Sequence, residues 1–140
     1  MTLLSRIEAL EAAFLPPPPV VVPSAVELMA AAVGPPDAWQ AAVLSYRSTR
    51  TLLKCSRQSG KSACVAVLAL HTALAEPGSL ILLLSPSLRQ SQELFRKVAD
   101  AYRALGNPAP LQAESALRYE MNNDSRLIAL HGTEPTIRGY

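Results

Sequence analysis

Between residues 50 and 106, short apolar runs alternate with longer helical patterns. Thr51-Leu52-Leu53-Lys54-Cys55 reads as a short strand, and Ser56 to Ser62 as a polar loop. Ala63 to Ala75 is apolar on nearly every side, the pattern of a buried helix, and Pro77-Gly78 ends it. Leu80 to Leu84 is a continuous apolar run of strand length, which predicts a strand buried on both faces in a parallel sheet. Ser87 and Gln90 form a capping box. Phe95, Val98, Tyr102 and Leu105 then share one helical face, and Gly106 closes the helix. This βαβα order predicts an α/β fold: an open, mainly parallel sheet flanked by helices.

Around this unit lie simpler patterns. Leu117 to Met121 and Arg126 to Leu130 flank the turn formers Asn122-Asn123-Asp124-Ser125, which predicts a β-hairpin near the C-terminus. A further strand is expected around Leu111 to Ala113. Upstream, Ser24-Ala25-Val26-Glu27 is a capping box for a helix that stops at Gly34-Pro35-Pro36. Asp37 caps a second, Ala38 to about Tyr46. Thr2 to Leu15 places Leu3, Ile7, Leu10 and Phe14 on one face of an amphipathic helix. The prolines Pro16 to Pro19 end it and form a stiff extended spacer. The chain therefore divides into a helix and proline-rich linker, residues 1–23, and a domain, residues 24–140.

Composition narrows the function classes. Apolar residues make up 49% of the chain, enough for a core, and aromatics only 5%, so an aliphatic core is expected. Thirteen Lys+Arg against eleven Asp+Glu is nearly neutral and does not announce a nucleic-acid binder. Apolar runs such as Leu80 to Leu84 are far short of the ~20 residues that span a bilayer. Glu8 and Glu11 interrupt the one stretch resembling a signal segment, so no export and no membrane partner are expected. Cys55 and Cys64 lack metal-ligand spacing, which fits a reduced, cytoplasmic chain with Cys64 buried.

The chemistry concentrates in Cys55 to Ser62. A phosphate-binding loop is written G-x-x-x-x-G-K-[ST]. Here Cys55 replaces the first glycine, and Gly60-Lys61-Ser62 fits. Gly60 lets backbone N–H groups of Ser56, Arg57, Gln58 and Ser59 turn toward phosphate oxygens. Lys61 supplies charge at the β- and γ-phosphates, and the Ser62 hydroxyl can ligate Mg²⁺. The following helix adds its N-terminal dipole. Arg57 is open to two roles: an arginine finger acting in cis, or an ion pair or DNA-phosphate contact.

These residues resemble the ATPase domain of phage terminase large subunits, the motors that package viral DNA. The deviant loop Cys-Ser-Arg-Gln-Ser-Gly-Lys-Ser is in that family's style. Asp37-Ala38-Trp39-Gln40 is similar to its adenine-recognition segment, although Gln40 also fits a capping box with Asp37. Leu82 to Ser87 with Gln90 to Phe95, and Ser125 to Leu130 with Gly132-Thr133-Glu134 and Thr136 to Gly139, complete the ordered set. The resemblance covers about residues 37–140. It implies a P-loop NTPase fold of the RecA/helicase-like, additional-strand type, binding ATP and Mg²⁺. Double-stranded DNA, a portal protein and a small terminase subunit are the implied partners, in the bacterial host cytoplasm. Arg138 is open between a sensor of nucleotide or DNA and a surface residue. Trp39 is expected in the core. His71 is expected on a buried helix and His131 in a loop.

Hydrolysis in this class needs an apolar strand ending in Asp, for Mg²⁺, and an adjacent Glu to activate water. After Ser62 no apolar strand ends in Asp-Glu. The expectation is a fragment that stops before the Walker B motif, is not competent for hydrolysis, and is prone to aggregate through uncovered apolar edges. The alternatives are a helicase-like or DNA-repair P-loop ATPase, or a non-catalytic prophage remnant.

Overall fold

A computed structural model describes residues 2–14, 21–46, 48–132 and 138. Through them the chain runs α1 (Leu3–Phe14), α2 (Ala25–Ala32), α3 (Ala38–Ser45), α4 (Lys61–Ala75), β1 (Leu80–Ser85) and α5 (Leu88–Ala104). It finishes with β2 (Leu111–Ser115), β3 (Arg118–Met121) and β4 (Arg126–His131). The spacer Pro16 to Pro19 and the segment 133–137 lie outside the described residues.

Local chemistry sets the helix limits. Ser24 and Glu27 exchange the two bonds of a capping box at the start of α2, at 3.2 and 3.0 Å. The Ser87 hydroxyl accepts from the Gln90 N–H at the start of α5. At its end Gly106 adopts φ +74, and the N–H groups of Gly106 and Asn107 reach back to Arg103 and Tyr102 carbonyls.

The four strands lie in the order β1-β4-β3-β2. β1 and β4 are parallel, with Leu82 opposite Ile128. β3 pairs antiparallel with both β4 and β2, so the predicted hairpin is present and the sheet is mixed. One parallel pairing against two antiparallel ones corrects the expectation of a mainly parallel sheet. The β2 and β3 segments, joined by short turns, can only return antiparallel.

Two further expectations fail here. Thr51 to Cys55 forms no strand, and Leu52 is 93% exposed. A strand needs a ladder partner, and none of the four described strands pairs with this segment. Leu80 to Leu84 is a strand but is not buried on both faces. Leu83 is buried, while Leu80, Leu82 and Leu84 point away from it and are exposed. The helices α4 and α5 pack on one side of the sheet, and no described helix packs on the other.

Two apolar clusters share α4. Ala66, Ala69, Leu70 and Ala73 join the larger one, with Leu83, Val98, Leu127 and Ala129 from the sheet and α5. Cys64 and Val67 join the smaller one, with Ala25, Leu28, Met29 and Leu44 from α2 and α3. Trp39, expected in the core, is half-buried and packs against the margin of that second cluster. The larger core is not purely aliphatic. Tyr119 sits edge-on to Phe95 and Tyr102, with centroids 5.0 and 5.5 Å away. Composition counts aromatics but does not locate them, and the few present gather at one point.

The hairpin turn does more than reverse the chain. Asn123 donates through Nδ2 to the Ala73 carbonyl at 2.8 Å, and the Ser125 hydroxyl donates to the Glu76 carbonyl at 2.9 Å. Gly78, at φ +75, donates its N–H to the Asn123 carbonyl. Carbonyls left over at the C-terminus of α4 thus find their donors on the β3–β4 turn.

Removing one of those donors leaves a buried carbonyl unpaired. Asn123→Ala is expected to lower stability by about 1–3 kcal/mol, read as a fall in the denaturant midpoint. Burial pushes the Tyr102 and Tyr119 phenols above the ordinary value of 10.0, with the Glu114 charge adding to it. The fold therefore holds these protons more tightly than the unfolded chain does. That stability is complete below pH 10.0 and is lost as pH climbs through the raised values. Thermal melting should be insensitive to this pair up to that point and fall above it. Tyr119→Phe should make the fall shallower.

Candidate functional site

The segment before α4 is shaped by two left-handed residues. Gln58 has φ +58 and Gly60 has φ +86. The first is uncommon for a residue with a side chain and costs roughly 1 kcal/mol. The second makes Gly60 the N-cap of α4, with its carbonyl accepting the first helical bond from the Cys64 N–H at 3.1 Å.

The consequence is a row of unengaged donors. Among the described residues, no backbone N–H from Ser56 to Ala63 meets an acceptor. The last three of these are the N–H groups that any helix leaves free at its start. They carry the positive end of the dipole of a 15-residue helix. Arg57 and Lys61 are exposed and have no acidic partner among the described residues. Ser59 Oγ is buried and lacks a hydrogen-bond partner there. Free N–H groups, two unpaired cations and an orphaned hydroxyl together favour an anion.

Gln40 joins the loop from twenty residues away. Its Oε1 accepts from the Asp37 N–H at 2.8 Å, the reciprocal arm of a capping box for α3. Its Nε2 donates to the Gly60 carbonyl at 3.1 Å. The side chain is 5% exposed. Both roles foreseen for Gln40 can coexist chemically, since one Nε2 hydrogen and one Oε1 lone pair remain uncommitted. A Cβ built on Gly60 would stand 2.6 Å from Gln40 Nε2, so the two positions constrain each other.

Ser62 is half-buried and faces a cavity of about 390 Å³. Ser85, Gln90, Glu93 and Lys97 line the other side. Those four were not foreseen as site residues. Their signal was positional: Ser85 ends β1, and ligand sites in open α/β sheets lie beyond the carboxyl ends of strands. Glu93 is bonded to Arg89 at 3.2 Å. Mg²⁺ keeps several waters and takes one or two protein oxygens beside substrate phosphates. A lone hydroxyl such as Ser62 suits that donor set.

Other sequence candidates fall elsewhere. Cys55 is half-buried at the loop entrance. Cys64 is buried, and its thiol is pushed up by burial first and by nearby Cys55 second. His71 lies on α4 as expected, whereas His131 ends β4 rather than sitting in a loop. Arg138 is exposed at a turn. In the segment Thr51–Cys55, expected as a strand, Thr51 and Leu53 instead line a gap with Cys64 and Leu68 of α4. Comparison with protein-family models, with curated proteins and with solved structures returned no match.

The Gly60–Gln40 contact yields a double-mutant test. Gly60→Ala should destabilise the fold by about 1–3 kcal/mol, from the left-handed backbone and the clash together. Adding Gln40→Ala should recover part of that loss, measured by chemical denaturation of both single variants and the pair. Additive losses would mean that the two residues do not touch.

Proposed function

We propose that residues 24–140 are the ATP-binding part of a DNA-packaging motor ATPase of the terminase large-subunit kind. The observation that carries the reading is the segment Ser56–Ser62: free N–H groups, a left-handed Gly60 and an unpaired Lys61 at the start of a long buried helix. That is the donor geometry a polyphosphate needs.

In this reading Ser56, Arg57, Gln58, Ser59 and Gly60 bind the phosphates through their backbone. Lys61 sits against the β- and γ-phosphates. Arg57, exposed and without an acidic partner among the described residues, reaches the γ-phosphate and stabilises charge there during transfer. Ser62 supplies a ligand to Mg²⁺, which neutralises phosphate charge when bound. Gln40 reads adenine with the hydrogen and lone pair it has left over. Hydrolysis of this kind also uses an Asp-Glu pair at the end of an apolar strand, and no strand among the described residues ends in one. Double-stranded DNA, a portal protein and a small terminase subunit are the partners of such a motor, in the host cytoplasm. No helix among the described residues is long and apolar enough to cross a membrane.

Titration with ATP and Mg²⁺, followed by calorimetry, tests this. Lys61→Ala should weaken binding at least tenfold (about 1.4 kcal/mol or more) with little change in stability, because the side chain is exposed. Absence of binding by the unaltered chain would sink the ATP reading and favour a non-catalytic remnant. Stimulation of ATP turnover by portal and procapsid, rather than coupling to strand separation, separates a motor from a helicase-like enzyme.

A further inference from the structure

Among the described residues, nothing packs on the apolar seam of helix α1. None of its 12 residues is buried, and Leu3, Ile7, Leu10 and Phe14 are 75, 44, 59 and 84% exposed. Isolated helices of ~12–15 residues are marginal in water and draw their stability from packing such a face. The seam therefore calls for a partner, and its own sequence says which.

The four apolar residues are spaced by four, three and four, the alternation of a coiled-coil seam. Leu3 and Leu10 take the d positions, and Ile7 and Phe14 the a positions. Ile at a with Leu at d favours two parallel strands. In that register Arg6 is a g residue and Glu11 the following e residue, five positions on. Within one helix, neighbours are three or four apart, so Arg6 and Glu11 do not meet in cis. Neither has an ion-pair partner among the described residues. In a parallel pair, however, g of one helix faces the next e of the other, which brings Arg6 of each copy to Glu11 of the second copy. An antiparallel pair would instead set Arg6 against Ala13 and Glu11 against Leu4, with no charge matched.

We propose that α1 is a self-association element: two copies of this chain join through α1 as a short, parallel, two-stranded coiled coil with reciprocal Arg6–Glu11 pairs. Twelve residues, short of two full heptads, and a length of about 18 Å make this a weak, reversible contact. Its effect is to hold two domains side by side at the same end of the coil. The inference is independent of what the loop at Ser56–Ser62 binds.

Sedimentation of the full chain from about 1 to about 200 µM, concentrations that bracket weak association, tests it by charge reversal. The unaltered chain should shift from monomer to dimer. Arg6→Glu and Glu11→Arg should each weaken the dimer roughly tenfold, since each turns both reciprocal pairs repulsive. An equimolar mixture of these two variants should recover the dimer, as should the double variant R6E/E11R. That rescue cannot come from lost folding or from general stickiness. Ile7→Glu with Leu10→Glu should abolish the dimer. A chain that stays monomeric throughout overturns the proposal. So does a mixture no stronger than its components, or association that survives Ile7→Glu with Leu10→Glu, which would place the contact on another surface such as the Leu80, Leu82 and Leu84 face.

Discussion

The two ends of α4 are treated in opposite ways, and the rest of the chain is arranged around that difference. A helix leaves unpaired carbonyls at one end and unpaired N–H groups at the other. At the C-terminal end, Asn123 and Ser125 reach across from the hairpin turn and satisfy the carbonyls of Ala73 and Glu76. At the N-terminal end, no described residue satisfies the N–H groups. The helix is thus sealed at one end and leaves its N–H donors open at the other, on a rigid support. The small residues along α4 make the rigidity possible, because Ala66, Ala69 and Ala73 allow sheet and helices to approach closely while Val67 and Cys64 serve the second cluster.

Gln40 shows how the supporting helices take part. It ends the α3 capping box and, in the same side chain, holds the Gly60 carbonyl. The loop conformation is therefore tied to the packing of α2 and α3 on α4, not only to the left-handed preference of Gly60. Backbone strain at Gln58 belongs to the same segment, the kind of place where strained residues gather when a site is shaped before its ligand arrives.

The apolar surface outside the core falls into two separate places. On β1, Leu80, Leu82 and Leu84 line the uncovered side of the sheet. On α1, a heptad seam stands clear of the domain. The two differ in what accompanies them. The sheet face carries no pattern that selects an occupant, whereas the α1 seam has charges at the positions that flank a partner of the same sequence.

Much was legible in the residues alone. Caps, breakers and periodicity located α1 to α5 because helix limits depend on neighbours three or four positions away, as at Ser24 with Glu27 and at Gly106. The turn formers at 122–125 marked the hairpin, and Gly60-Lys61-Ser62 marked the loop that the structure leaves unengaged. Strand assignment at Thr51–Cys55 failed because an apolar run states a preference, while a strand exists only where another strand offers its ladder. The same dependence on distant partners hid the mixed sheet, the exposure of Leu80, Leu82 and Leu84, and the gathering of Phe95, Tyr102 and Tyr119. The order of helices, the loop chemistry and the α1 heptad were set by sequence, since each rests on residues close along the chain. The pairing of β1 with β4, the sealing of α4 by Asn123 and Ser125, and the grip of Gln40 on Gly60 were decided only in three dimensions, because each joins residues twenty or more positions apart.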